Sequence, residues 1–200
     1  MPQDAQELAQ RIALSTPQDT VKGSLFRSVV TELERRLPDD PRIPELKTRF
    51  VKSAWRDFSN FPVGEYLTLV YAAAELLETK TGSFREGLSE LGHGVSLAFL
   101  DSAVGKLALT MTRGRDPLAM LSYAASVYAV SASYGKRTYL RRGPHEAVLQ
   151  LRRDFLPADY HRGAVRAGVQ FHGHPADVEV ESFSLLDLDV IVRYPPAAKT

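Results

Sequence analysis

Residues 171–194 read FHGHPADVEVESFSLLDLDVIVRY, and the alternation inside them sets the fold class. Val178 and Val180 alternate with Glu179 and Glu181. Leu186, Leu188, Val190 and Val192 alternate with Asp187, Asp189, Ile191 and Arg193. A period of two belongs to half-buried antiparallel strands, with one face on the core and one in water. His172 and His174 flank Gly173 just before the first strand. Alternate strand residues point the same way, so a His-x-His pair has metal-chelating geometry. Two imidazoles are too few, however. A third ligand would come from Asp177, His161 or His145, and His161 lies about three helical turns upstream, at roughly 5.4 Å per turn. Glycine followed by Pro175 instead reads as a helix end and a turn. No metal site is expected.

Upstream of this hairpin the period is helical. Residues 4–14 form a short helix with Leu8 and Ile12 on one side, and Pro17 breaks it. VKGSLFRSVVTELERRL (21–37) places Leu25, Val29, Val30, Leu33 and Leu37 on one face, and Pro38 and Pro41 stop it. A helix over 44–58 turns Leu46, Phe50, Ala54 and Trp55 inward. The clearest central helix covers 62–79, with Tyr66, Leu69, Val70, Ala73, Leu76 and Leu77 apolar. Gly82-Ser83 ends it and caps the next. Residues 83–112 are helical and rich in small residues, with a break at Asp101-Ser102. Asp116-Pro117 opens a helix over 117–134. Strands follow at Thr138–Leu140 and Ala147–Leu151, then a helix from Pro157 to about Phe171.

The expected fold is α+β: a helical N-terminal two-thirds, then a C-terminal antiparallel sheet of about four strands, two hairpins separated by a helix. Residues 1–19 form an N-terminal extension or short helix, and 20–196 a single α+β domain of ligand-binding type.

The totals exclude several chemistries. The 200 residues carry a formal net charge of +1, so no global field favours nucleic acid or acidic lipid. No cysteine is present, which removes disulfides, thiolate metal sites and cysteine nucleophiles. The first fifteen residues lack a signal-peptide core, and no apolar run is long enough to span a membrane, so a cytoplasmic protein is expected.

His93 sits beside two glycines with Glu90 three residues earlier, as a base with an orienting group would. No nucleophile is placed beside it, and a packed histidine explains it as well. DSAVGKLAL (101–109) resembles a phosphate loop but lacks the first glycine and has Leu107 where a hydroxyl is required. Residues 136–166 carry eight basic side chains against three acidic ones. Arg137, Tyr139 and Arg141 alternate along one strand, and with Arg152 they form a candidate interaction surface for an acidic partner or a second copy; nucleic acid is not expected. A solvated sheet face is the competing reading. The pairs Glu179/Glu181 and Asp187/Asp189 look solvated rather than catalytic. Tyr66, Tyr123 and Tyr128, with Phe99, are candidate lining of an apolar ligand pocket. Gly87, Gly92 and Gly94 are candidate helix-contact positions, since small residues let backbones approach.

TPQDTVKGSLFRSVV (16–30), FPVGEYLTLVYAAAELL (61–77), REGLSELGHGVSLAFLDSAVGK (85–106) and GAVRAGVQFHG (163–173) before two strands resemble an uncharacterised myxobacterial paralogous family of about 200 residues. The resemblance covers nearly the whole chain after residue 10. More distantly, VKGSLF before the first long helix is similar to the opening of the haem-nitric-oxide-binding domain. The closing helix, turn and hairpin are similar to that domain, to the four-vinyl-reductase domain and to small trafficking-particle subunits. This resemblance implies a buried ligand pocket and often a homodimer. It also implies, for haem, a proximal histidine on the helix that is here 117–134, which has none, and a tyrosine–serine–arginine motif that is absent between 134 and 170. Haem is therefore not expected, nor is any other cofactor.

The resulting expectation is a non-enzymatic sensory or regulatory module that binds a small apolar ligand or a partner protein, as a homodimer or in a complex. The alternatives are an interaction scaffold with a filled core, or a hydrolase or transferase using His93 or His161. A carboxylate or hydroxyl within reach of either histidine would favour the last.

Overall fold

A computed structural model of the chain describes residues 3–50, 55–56, 58–101, 118, 121–122, 128–170, 175 and 177–194. The elements are α1 (Gln3–Ala13), β1 (Thr20–Lys22), α2 (Gly23–Arg36), α3 (Arg42–Phe50), β2 (Asn60–Pro62), α4 (Val63–Thr81), α5 (Phe84–Asp101), β3 (Lys136–Arg141), β4 (Glu146–Arg152), α6 (Ala158–Gln170), β5 (Asp177–Ser182) and β6 (Leu188–Arg193). The fold is α+β. Helices dominate before β3, and a four-stranded antiparallel sheet in the order β3-β4-β6-β5 follows, with α6 between its two hairpins in sequence. Among the described residues no helix is long and apolar enough to cross a membrane. Residues 118, 121–122 and 128–131 are helical. Residues 132–134, at the end of the expected 117–134 helix, are not helical, and Ala132 bridges to Val21 instead. Residues 117, 119–120 and 123–127 lie outside the described residues, as do the phosphate-loop-like stretch beyond Asp101 and His172, Gly173 and His174.

Two apolar clusters form the core. The larger joins α2, α4 and α5 through Phe26, Val29, Leu33, Tyr66, Val70, Leu77 and Leu91. The second fills the space between the sheet and α6, from Leu149, Leu151, Val190 and Val192 to Val165 and Val169, with Leu118 and Leu121 joining from the helical segment before β3. Each of these strands contributes every second residue, as the alternation requires.

Helices α5 and α6 run parallel. Glu86 meets Arg162 at 2.8 Å, Glu90 meets Arg166 at 2.8 Å and His93 meets Gln170 at 3.1 Å, so both helices ascend together. Glycines set how close they lie. A Cβ at Gly163 would collide with the Ser89 carbonyl oxygen, and one at Gly92 with the Tyr160 carbonyl oxygen. On other faces of α5, a Cβ at Gly87 would stand 2.6 Å from the Ala74 carbonyl oxygen of α4, and one at Gly94 would enter the Glu32 carboxyl of α2.

Three features sharpen the sequence expectations. First, the N-terminal stretch carries a helix where a short one is expected over 4–14, and that helix is tied to the rest of the chain. Arg11 of α1 is buried and donates to the carbonyls of Phe155 (3.2 Å) and Leu185 (2.7 Å), while Glu7 accepts from Arg11 at 2.8 Å and from the Tyr71 hydroxyl at 3.0 Å. Second, β1 and β2 pair as a short antiparallel ribbon, Thr20 with Pro62 and Lys22 with Asn60, at the entrances of α2 and α4. Three residues are too few to show a period. Third, α3 ends at Phe50, and Trp55 is buried outside any helix, its ring 5.1 Å from that of Phe26.

The glycine contacts separate two substitutions on one helix. Gly163→Ala is expected to destabilise the protein by about 1–3 kcal/mol through overpacking. Gly168→Ala, with nothing within 4 Å of the added carbon, is expected to stabilise it by about 0.5–1 kcal/mol. Urea unfolding of the two variants beside the parent checks the sign of each.

Candidate functional site

The described charged and aromatic side chains converge most densely under the inner face of the sheet, at the start of α6. The register explains how. Arg137 pairs with Leu151, Tyr139 with Leu149 and Arg141 with Ala147, so the odd positions of β3 continue the buried row of β4. This corrects the expectation for Arg137 and Tyr139, which turn towards the core rather than line an outer surface with Arg152, while Arg141 is exposed. The Arg137 side chain is 4% exposed. Tyr139 packs against the second cluster. Arg141 donates to the Gly143 and Pro144 carbonyls in the hairpin turn. Arg152 stands on the opposite face, paired with Asp189 at 2.8 Å and with its guanidinium over the Phe183 ring.

Arg137 turns inward because a carboxylate waits there. Asp154 follows β4 and is 1% exposed, and its Oδ2 accepts from Arg137 Nη2 at 2.6 Å. Its Oδ1 accepts from His161 Nε2 at 3.0 Å and from the Leu156 amide at 3.1 Å. Arg137 Nη1 also donates to the Tyr134 carbonyl at 2.7 Å. The guanidinium lies over two rings, Tyr128 at 4.7 Å and Tyr134 at 5.3 Å. Burial works to raise the Asp154 carboxyl, but the bonds from His161, Arg137 and the Leu156 amide hold it below the ordinary carboxylate range.

Asp154 is aimed by its neighbour. Arg153 adopts φ 52°, a left-handed conformation that costs a non-glycine residue about 1–2 kcal/mol. Asp19 grips its guanidinium at 2.6 and 2.7 Å, and Asp187 accepts its amide at 2.9 Å. The Arg153 bonds pull the Asp19 carboxyl down to about 2.

His161 lies on the first turns of α6 and is fully buried. Its second nitrogen, Nδ1, meets the Tyr128 hydroxyl at 3.3 Å. An ionised Asp154 only accepts, so Nε2 carries the proton and, in the neutral ring, Nδ1 accepts from Tyr128. One step further into the helical core the Tyr66 and Tyr160 hydroxyls meet at 3.0 Å. Burial raises the phenols of Tyr66, Tyr128, Tyr134 and Tyr160, and the Asp154 charge adds to this at the last three. All four are therefore hydrogen-bond donors, not phenolates, near neutral pH.

Of the proposed pocket residues, Tyr66 is closely packed, with its ring centroid 5.1 Å from that of Phe26. Tyr128 belongs to the polar cluster, Phe99 is half-buried on α5, and Tyr123 lies outside the described residues. His93 rests on Gln170. Glu179 pairs with Arg193 at 2.8 Å on the outer sheet face. Among the described residues no three His, Asp or Glu side chains gather as a metal site. The sequence reading passed over Asp154, whose one signal is its place between a strand and a helix that carries a histidine seven residues on.

Removing the carboxylate alone strands a buried guanidinium. Asp154→Ala is expected to cost about 3–5 kcal/mol, and Asp154→Leu combined with Arg137→Met to cost less than the sum of the two single changes. Acid acts with a known sign: both aspartates have folded values below the unfolded one. Their stabilisation is complete above about pH 4, and that of Asp19 is lost as pH falls from 3.8 towards 2. Thermal midpoints between pH 5 and pH 2 should fall less steeply for Asp154→Asn than for the parent chain.

Solved H-NOX structures share this fold. An H-NOX protein from S. oneidensis in the Fe(II)NO ligation state has a TM-score of 0.71 at 9% identity, over 88% of this chain and 99% of that one. The Fe(II) unliganded H-NOX protein from K. algicida has a TM-score of 0.66 at 14% identity, over 90% and 99%. No curated protein matches the chain. A family model described as "Protein of unknown function (DUF2378)" matches residues 14–194, and the chain belongs to that family.

Proposed function

We propose that this protein is a non-enzymatic sensory or regulatory module, in which occupancy by a small, largely apolar ligand, or by a partner protein, shifts the helical segment before β3 against the sheet. The buried Arg137–Asp154–His161–Tyr128 cluster carries the reading. It ties that segment, β3, the β4–α6 loop and α6 into one hydrogen-bonded unit. A small displacement at Tyr128 is then felt at the sheet, because such a network has few alternative satisfied arrangements. The likeness to H-NOX domains supports the same reading at the level of fold alone.

The cluster also contains a hydroxyl, an imidazole and a carboxylate in series, the arrangement that would favour a hydrolase. Three observations weigh against it. His161 is fully buried, the Asp154 carboxylate is committed to Arg137, and burial holds Tyr128 protonated. A nucleophile needs the opposite of each.

Haem does not fit the Arg137–Asp154–His161–Tyr128 cluster. Both His161 nitrogens are engaged, by Asp154 and Tyr128, so neither is free to ligate iron. The Arg137 guanidinium, the group of the right charge for an acidic side arm, is consumed by Asp154. No step is assigned to haem.

Native mass spectrometry of the protein purified from its own source tests the proposal. A retained small molecule or a stoichiometric partner is expected; a bare monomer at full occupancy overturns it. Titration with hemin is expected to give no histidine-ligated absorption band.

A further inference from the structure

We propose that the place filled by the Tyr128 side chain is a ligand site in its own right, and that its ligand is a small phenol or a similar planar ring bearing one hydroxyl. The inference rests on the ligand-responsive reading above and names the chemistry. The inner walls are sealed: the Arg137, Asp154 and His161 side chains are 4%, 1% and 0% exposed. Tyr128 is half-buried and packs on these walls through its ring and its hydroxyl. Displacing this one side chain would free the Arg137 guanidinium face and His161 Nδ1.

Tyr128 supplies two things to the site. Its ring face receives the Arg137 guanidinium at 4.7 Å, and its hydroxyl reaches His161 Nδ1 at 3.3 Å. A free phenol carries both. The internal phenol is tied to the backbone of its own helical segment, whereas a free one can place ring and hydroxyl independently of it. The cluster asks for a neutral guest, because the Arg137 charge is already balanced by Asp154. It has one donor left: among the described residues, the buried Arg137 Nε has no partner. A second oxygen on the guest ring would satisfy it.

Displacement has a defined outlet. Tyr128 belongs to the helical residues 128–131, and the chain then meets the β1–β2 ribbon. Ala132 bridges to Val21, the Ser133 amide donates to the Thr20 carbonyl at 2.9 Å, and the Thr20 amide donates to Ser133 Oγ at 2.8 Å. A guest that expels Tyr128 therefore moves a segment anchored on the ribbon at the entrances of α2 and α4. The internal ring competes with the guest, which sets a threshold concentration for the response.

The test uses 4-methylphenol, the side chain of tyrosine itself, with toluene as its hydroxyl-free control. Calorimetric titration covers the parent chain, Tyr128→Phe and Tyr128→Ala. Removing the internal competitor is expected to tighten 4-methylphenol binding at least about tenfold in Tyr128→Ala. Losing only the hydroxyl is expected to tighten it roughly fivefold in Tyr128→Phe, which keeps the test alive if the alanine variant does not fold. Toluene is expected to bind more weakly than 4-methylphenol in every chain. Equal affinities across the three chains, or equal binding of toluene, overturn the site. Native mass spectrometry of the host protein judges the ligand-responsive reading separately, so a retained ligand of another class would sink the phenol site and leave that reading standing.

Discussion

An ionised carboxylate sealed inside a protein has to be matched, and Asp154 imposes that demand on the structure around it. An unmatched buried charge costs several kcal/mol, a large share of the stability of a domain this size. The remedy here is spread over distant parts of the chain. β3 turns its Arg137 inward, α6 brings His161, and the Leu156 amide closes the remaining angle. Burial raises the three tyrosine hydroxyls around the charge, and the charge adds to that in the same direction. The cluster sits where the two apolar cores meet and makes them one body.

The rest of the architecture serves to hold that meeting point in place. His161 and Tyr160 occupy the first turns of α6, the part of the helix pressed against Gly92 of α5. Backbone-to-backbone contact leaves little room for sliding, because there is no flexible side chain in between to adjust. The rungs at Glu86, Glu90 and His93 then fix the register along the pair. The position of the imidazole is therefore set by glycines that never touch it.

Much of this was open to reading in the residues. The alternation of Val178 to Val192 is a strong signal because half of each strand is buried, and the long helices declared themselves through wide apolar faces. The ribbon of β1 and β2 was invisible, since three residues carry no period. Arg137 was read with the wrong face for a physical reason. Alternation tells which residues share a face, but only the pairing of Arg137 with Leu151 tells which face is covered. Tyr128 and His161 stood out as single residues. What joins them, Asp154, could not be seen, because a lone aspartate between a strand and a helix ordinarily marks a turn or a cap. Sequence spacing does not report burial of a charge.

The left-handed Arg153 has a bearing on how the chain is built during synthesis. Its anchor, Asp19, lies 134 positions earlier. The N-terminal helix and the turn that carries Asp19 leave the ribosome well before the sheet exists, with their polar groups in water. The conformation at Arg153, and the inward aim of Asp154 beside it, become favourable only when the last third of the chain returns to that waiting carboxylate. A contact of such sequence separation pays its closure entropy late. The N-terminal turn thus supplies the partner that makes the Arg153 conformation favourable, and the aim of Asp154 depends on both ends of the chain being in place.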